Sequence, residues 1–369
     1  MNRILYHSTI GNSLPVSAAK AILSGTTPDG GLYVPDRLPV LTADDLAALL
    51  PLSYPRRAAS ILARLLPDFT EAELLDDCIA AYKDFSTPIA PLRKDLSVLE
   101  LWQGPSCTCK DVSEAIFPRL LSRAQAKYGS SVIADTAYAG TIGRLLPRIV
   151  PFVSAYCDLV VSGKLAPGER LDIAVPTGNF SSILAAWLAK KMGLPLGKLI
   201  AASNANNVIA DFLATGTYDS NRSFRTTLSP AIDVLRATDV ERLLYFIAGA
   251  DRCRAYMDAL SRDGIYTVEA SDFDAIRTDF DGDYCSDEAC LDRIASTHLR
   301  YGYLIDPHTA IALTAAERYL CGNESDHMLV VSTASPYRFA TTVARALGVF
   351  PIKDEQTCID ALTKAVLHK

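Results

Sequence analysis

Two stretches near the start of the chain share one pattern: a hydroxyl residue, an acidic residue three positions on, then apolar residues at helical spacing. They are Thr42 with Asp45 before Leu46, and Thr70 with Glu73 before Leu74, Leu75, Cys78, Ile79 and Tyr82. Each predicts a helix opened by a capping box, in which side chain and backbone exchange hydrogen bonds across the first turn. Residues 1–90 are therefore expected to be mostly helical. Within them Pro28-Asp29-Gly30-Gly31 predicts a turn into the short extended piece Leu32-Tyr33-Val34. From Ser97 the pattern changes. Val98-Leu99-Glu100-Leu101 reads as a strand, Gly104-Pro105-Ser106 breaks it, and a helix is expected from Asp111 to Tyr128, running into Gly129-Ser130-Ser131. Leu145 to Val161 is apolar but interrupted by Pro147, Arg148, Pro151 and Asp158, which predicts buried helix. Next come a strand at Leu171–Val175, a turn at Pro176-Thr177-Gly178-Asn179, a helix from Ser181 to Met192 stopped by Gly193, and a strand at Leu199–Ala202. That succession is a strand–helix–strand unit of a parallel sheet. Met328–Ser332 reads as a further buried strand, followed by a turn of small residues and a helix through Ala346, while Asp272 to Asp287 reads as a solvated loop and helix edge.

Composition narrows the class. A chain of 369 residues, 49% hydrophobic and 21% charged, fits a globular α/β protein of two or three packed subdomains with room for a buried site. The net charge of -6 offers no overall basic surface, so nucleic acid is not an expected partner. Met1 to Ser13 has one arginine and no long apolar run, which predicts neither a secretory signal nor a membrane span; a cytoplasmic location is expected. Nine scattered cysteines are read as reduced thiols. Neither Cys107/Cys109 nor Cys285/Cys290 is matched by a second pair with histidine at zinc-site spacing, so no metal site is expected.

Parallel sheets place ligands beyond the C-terminal ends of their strands, where helix N-termini offer unsatisfied N–H groups and a positive dipole end. Three segments have that form: Gly104 to Asp111, Pro176 to Ser182, and Ser332 to Phe339. In the first, Lys110 follows Cys107, Thr108 and Cys109; burial among such uncharged neighbours would favour a neutral amine able to form a Schiff base. Read alone, it is equally a lysine with its amine in solvent at a helix start. In the second, Gly178 permits close approach of backbone to a ligand. In the third, Ser332 and Thr333 are able to bond a heterocycle nitrogen or simply to cap a helix.

Together these segments resemble the threonine synthase family, in order and over nearly the whole chain. The matching residues are Ser8-Thr9, Pro28 to Pro35, Glu100-Leu101-Trp102-Gln103-Gly104-Pro105-Ser106 leading to Lys110-Asp111, Gly143-Arg144-Leu145-Leu146-Pro147, Pro176-Thr177-Gly178-Asn179-Phe180, Asn204, Asn206, Leu228-Ser229-Pro230-Ala231, Gly302 to Ala310, and Ser332-Thr333-Ala334. The resemblance implies an α/β, fold-type II architecture of the tryptophan-synthase-β kind. It would have an N-terminal section (1–90), a small domain bearing the Schiff-base lysine (91–140) and a large cofactor-binding domain (141–369). It also implies a lyase of threonine biosynthesis that turns O-phospho-L-homoserine and water into L-threonine and phosphate. The cofactor would be pyridoxal 5'-phosphate (PLP), the catalytic and Schiff-base residue Lys110, the phosphate cradle Gly178, Asn179 and Phe180, and the partner of the pyridine nitrogen Thr333. Asp111 and His308 are read as structural.

The family's Ser-Gly-Asp-Thr-Gly segment, whose loop and helix start bind the substrate's anionic groups, has no counterpart anywhere in the sequence. The small domain is accordingly expected to be reduced. Cys109, Gln103, Ile10, Ser181-Ser182 and the neighbourhood of Thr141 also depart from the family pattern, all at substrate or cofactor positions. Loss of a strand–helix unit exposes sheet edge and apolar surface, to be covered by rearrangement or by a partner chain, a homo-oligomer included. Two further readings stay open beside the synthase: a related dehydratase or replacement lyase, and a non-catalytic homologue that binds PLP or an amino acid.

Overall fold

A computed structural model describes residues 4–128, 140–349 and 354–367. Gly129-Ser130-Ser131 and the first three residues lie outside them. Ten strands occur among the described residues: β1 (Tyr6–Ser8), β2 (Tyr33–Pro35), β3 (Ile89–Arg93), β4 (Leu96–Glu100), β5 (Leu171–Pro176), β6 (Leu196–Ser203), β7 (Thr217–Asp219), β8 (Ile265–Thr267), β9 (Phe280–Tyr284) and β10 (His327–Ser332). Six form the central sheet, in the order β3-β4-β10-β5-β6-β9, parallel throughout except for β3. Two small antiparallel pairs, β1-β2 and β7-β8, lie outside it.

Alternation along the strands divides the core in two. Leu99, Ile173, Val175, Leu199, Leu329 and Val331 point to one face, against helices of the front section and helices Val150–Val161, Ser181–Lys191 and Val240–Asp263. Leu96, Val98, Ala174, Ile200, Met328 and Val330 point to the other, against helices Asp287–Tyr301, Pro307–Leu320 and Ala340–Ala346. Strands covered on both faces need apolar residues at every position, which is why they read as continuous runs.

Both capping boxes form as the sequence pattern requires, with Thr42 accepting from Asp45 N–H and Thr70 from Glu73 N–H. Two expectations are corrected. The helix after Lys110 is not continuous: it divides into Asp111–Glu114 and Phe117–Tyr128, because Pro118 has no N–H to carry the ladder across. The acidic 272–287 region is not simply a solvated edge. It contains the edge strand β9, and Asp272 and Asp279 are buried, the latter between Lys190 (2.8 Å), Lys191 (2.7 Å) and Trp187 Nε1–H (2.8 Å).

β3 and β4 belong to the same sheet as the strands after residue 140, with Glu100 at the end of β4 opposite Ser332 at the end of β10. β10 in turn pairs with β5, while the chain leaves β5 toward β6 on its other side. The connections thus diverge between β10 and β5. Such a divergence opens a crevice at the strand ends where α/β sheets hold ligands.

Candidate active site

Lys110, Gly178, Asn179, Phe180 and Thr333 all line one cavity of about 150 Å³ in that crevice, with Cys109, Arg148, Ser181, Ser182, Ala231 and Ile232. A larger groove, about 1040 Å³, lies at the opposite ends of the strands. Several of its charges neutralise one another, Lys190 with Asp279 and Arg93 with Asp95 at 2.8 Å each, and none of the five residues reaches it.

The loop that carries Lys110 is fastened to the end of β10 by backbone bonds. Leu101 N–H donates to Ser332 O (2.9 Å), Cys109 N–H to Thr333 O (2.8 Å) and Ser335 N–H to Cys107 O (3.0 Å). Buried Asp111 closes the loop by accepting from Ser106 N–H at 2.8 Å. Gly104 lies so close to that carboxylate that a Cβ would stand 2.5 Å from Asp111 Oδ2, so no larger residue fits the turn. Cys107 adopts φ 53°, a left-handed conformation that is uncommon outside glycine. Lys110 itself is exposed at the cavity mouth rather than buried among its uncharged neighbours.

Opposite it, β5 ends at Pro176 and helix Ser181–Lys191 begins five residues later. Phe180 makes the transition at φ 70°, its buried ring packed against Phe280 at 5.5 Å. None of the six main-chain N–H groups from Gly178 to Ile183 finds an acceptor among the described residues. Six unsatisfied donors at a helix start constitute an anion cradle. Gly178 is needed for its size: a Cβ there would come within 3.0 Å of Ala231 O and Ile232 Cα. Thr333 contributes a hydroxyl that bonds no protein group among the described residues, whereas Ser332 Oγ accepts from Trp102 Nε1–H (2.9 Å) and donates to Thr309 Oγ1 (2.8 Å), whose own proton goes to Asp306. Of the two hydroxyls at the end of β10, only Thr333 is therefore free for a ligand.

The other wall, Ala231 and Ile232, is positioned by two polar networks. Asn204 Nδ2 donates to Ser229 Oγ (2.9 Å) and Asp233 Oδ1 (2.7 Å), and Asn206 Nδ2 donates to the same Asp233 oxygen (3.0 Å). His308 Nδ1–H donates to Asp306 at 2.6 Å and its Nε2 accepts from Ala231 N–H at 3.2 Å, so both ring nitrogens serve structure. Gly143-Arg144 lies just outside the cavity: Arg144 Nε–H donates to Glu114 Oε1 at 2.7 Å with its guanidinium 4.2 Å from the Phe117 ring centre.

Three residues at the site were not singled out from the sequence. Asp239 accepts from Ser181 Oγ–H, donates its own N–H to Asn179 O (3.1 Å) and pairs with Arg242, which is fully buried. Arg148 enters the cavity beside Ser182. Arg148 had a visible signal, a cation inside an apolar stretch; Asp239 and Arg242 lie in ordinary helical sequence and had none.

The described residues hold no group of three or more His, Cys, Asp or Glu side chains arranged for a metal ion, and no helix among them is long and apolar enough to cross a membrane.

Comparison with known proteins gives one consistent answer. Residues 5–82 match the family model described as "Threonine synthase N terminus" and residues 309–365 the model "Threonine synthase, C-terminal". "Threonine synthase-like 1" of Homo sapiens is 29% identical over 437 residues, covering 91% of this chain but 58% of that protein. The chain thus spans less than two thirds of that relative. The threonine synthase of Pseudomonas aeruginosa is 27% identical, over 92% of this chain and 90% of its own. Among solved structures, a PLP-bound threonine synthase from Brucella melitensis superposes with a TM-score of 0.85 at 25% identity, covering 94% of this chain and 92% of the other. The yeast threonine synthase gives the same TM-score at 23% identity and 99% coverage of both. An alignment of 437 residues is longer than this 369-residue chain, so the relative carries stretches that have no counterpart here.

Proposed function

Because this chain belongs to the threonine synthase family, with the fold-type II architecture that goes with it, we propose that it is a PLP-dependent lyase converting O-phospho-L-homoserine and water to L-threonine and phosphate. The observation that carries this reading is the convergence of Lys110, the Gly178–Ile183 cradle and the free Thr333 hydroxyl on one cavity at the divergence of β5 and β10.

The residues present fit the cofactor at each end. The cradle supplies N–H donors for its phosphate, and the close approach at Gly178 keeps that wall clear of a side chain. Thr333 offers the pyridine nitrogen a neutral hydroxyl, and Lys110 stands at the mouth as the amine to be joined to the cofactor's aldehyde. When bound, PLP supplies an electron sink for charge that develops at Cα and Cβ of the substrate. The chain's own part is to hold and orient, and to move protons. Lys110 Nζ would be the group that removes protons from Cα and from Cβ, the latter as phosphate leaves Cγ, and that returns protons to Cγ and Cα while water adds at Cβ. Asp111, Ser106 and Gly104 act through it by fixing the loop.

A second reading is favoured by one specific feature, the lack of the Ser-Gly-Asp-Thr-Gly segment: a homologue that retains PLP but does not turn over. Elimination of phosphate needs oriented donors on the leaving group and exclusion of water, and nothing in the cradle supplies a second set. Two measurements separate the readings. A Schiff-base absorption band with PLP, lost in Lys110→Ala, establishes the cofactor site. Release of phosphate from O-phosphohomoserine, also lost in Lys110→Ala, establishes the lyase, and a band without phosphate release establishes the binder. No band in folded wild-type protein refutes both.

A further inference from the structure

Arg148 lies in the short helical turn Leu146–Ile149, half-buried, with Nη1 3.3 Å from Ser182 Oγ in the first turn of helix Ser181–Lys191. Other arginines packed nearby have carboxylate partners: Arg144 meets Glu114 at 2.7 Å and Arg57 meets Asp158 at 2.6 Å. Among the described residues, no carboxylate lies within ion-pair distance of Arg148. A further polar neighbour is the Cys109 thiol, whose pKa burial raises against the opposing pull of Arg148 and Lys110. A thiol held up in this way is neutral near pH 7 and provides no counter-charge. A guanidinium partly withdrawn from water with no anion beside it is costly unless a ligand supplies one.

We propose that Arg148 is the counter-charge for the cofactor's phosphate ester, acting on the same dianion as the N–H groups of Gly178 to Ile183. This rests on the reading that PLP occupies the cavity. The location of the contact selects the phosphate over the rest of the ligand: Arg148 touches the helix start that forms the cradle, whereas Thr333 and Lys110 are assigned to the ring and the aldehyde. Main-chain N–H groups carry partial charge only, and a guanidinium adds a full one with paired donors that match phosphate oxygens.

The test compares PLP with pyridoxal, which has the same ring and aldehyde but no phosphate, each titrated into the full-length protein and followed by the Schiff-base band. Arg148→Met is expected to weaken PLP by about 10- to 100-fold, the range for a charge-assisted hydrogen bond. Pyridoxal affinity is expected to stay within about twofold, and Arg148→Lys to recover part of the PLP affinity because it keeps the charge. Equal weakening of both ligands would mean a packing role and overturn the proposal, as would unchanged PLP affinity. Should Arg148→Met not fold, Arg148→Gln carries the same comparison, since the ratio of the two affinities is the readout. Wild-type protein that takes up neither ligand would overturn the PLP reading itself, an outcome distinct from a wild type that binds both and a variant that discriminates no less.

Discussion

Replacing Arg242 by methionine should destabilise the whole chain while striking from behind the Gly178–Ile183 turn proposed to hold the cofactor. Arg242 is completely buried and Asp239 nearly so. The guanidinium donates to Tyr33 O at 3.0 Å, to Gly140 O at 2.6 Å and to Asp239, so it ties the front section, the segment after residue 139 and the support of Ser181 into one junction. Methionine fills much of the aliphatic volume but leaves the Asp239 carboxylate buried with Ser181 as its remaining side-chain donor. Removing one partner of a buried ion pair costs about 3–5 kcal/mol. At about 2.1 cal/mol/K per residue, unfolding of 369 residues carries an entropy near 0.8 kcal/mol/K, so the midpoint should fall by roughly 4–6 °C. Thermal scans of wild type, Arg242→Met and the double variant Asp239→Asn/Arg242→Met, in one buffer without PLP, measure this. The double variant should regain part of the loss because it no longer buries an unpaired charge. A fall of less than 1 °C, or a double variant no better than the single, would refute the account of Arg242 as a junction held by charge.

Three further outcomes are expected. Gly178→Ala should weaken PLP uptake about tenfold, since Ala231 and Ile232 stand 3.0 Å from the new Cβ and must retreat; unchanged affinity in a spectrophotometric titration would show that the close approach is not needed. Thr333→Val, which keeps the shape and removes the hydroxyl, should leave PLP affinity within about threefold yet lower phosphate release about tenfold, and equal turnover would exclude Thr333 as the partner of the ring nitrogen. Asp29 and Asp45 are both held down to about 2: for Asp29 bonds from Thr27, Ser8, Ser13 and Asn12 outweigh burial, and for Asp45 bonds from Thr42 lead, with Arg64. Folded values below the unfolded ones mean that their contribution is complete above about pH 4 and lost as pH falls through 2. Denaturant titrations of wild type and Asp29→Asn/Asp45→Asn should therefore differ at pH 6 and converge near pH 2; a gap that persists at pH 2 contradicts this origin.

Much of the fold was legible because local chemistry and tertiary need coincide. Thr42 and Thr70 announce their helices with the side chains that cap them, and β5, β6 and β10 carry the apolar runs Ile173–Val175, Leu199–Ala202 and Met328–Val331 because both faces are covered. β9 has the opposite character. Phe280-Asp281-Gly282-Asp283-Tyr284 has little intrinsic strand character, and it is a strand because it completes the edge beside β6, where a Cβ on Gly282 would stand 2.9 Å from Ala210 Cα. The division of the helix after Lys110 has a local signal in Pro118, which stands at the start of the second helix. Within the site, residues in turns between predicted elements could be found, since turn chemistry is local. Asp239 and Arg242 could not, because their partners Ser181, Tyr33 and Gly140 lie 58, 209 and 102 positions away.

The placement of the site explains how a member of this family could lose a strand–helix unit and still keep its cofactor. Lys110, the cradle and Thr333 follow β4, β5 and β10, three adjacent strands of one sheet joined in register, with Glu100 opposite Ser332 and Val330 opposite Ala174. Their relative positions depend on that sheet and on the backbone bonds between the 101–109 loop and the 332–335 turn. On the function proposed above, cofactor binding would rest on this sheet and leaving-group handling on the segment the chain lacks. A loss confined to the second function predicts an asymmetric result: PLP affinity and the Lys110 band at full strength, with the deficit falling on phosphate release. Appending the missing segment from a longer relative should then raise turnover without tightening PLP. If PLP affinity rose in parallel, the sheet would not be holding the cofactor half of the site by itself, and the separation argued from its register would fail.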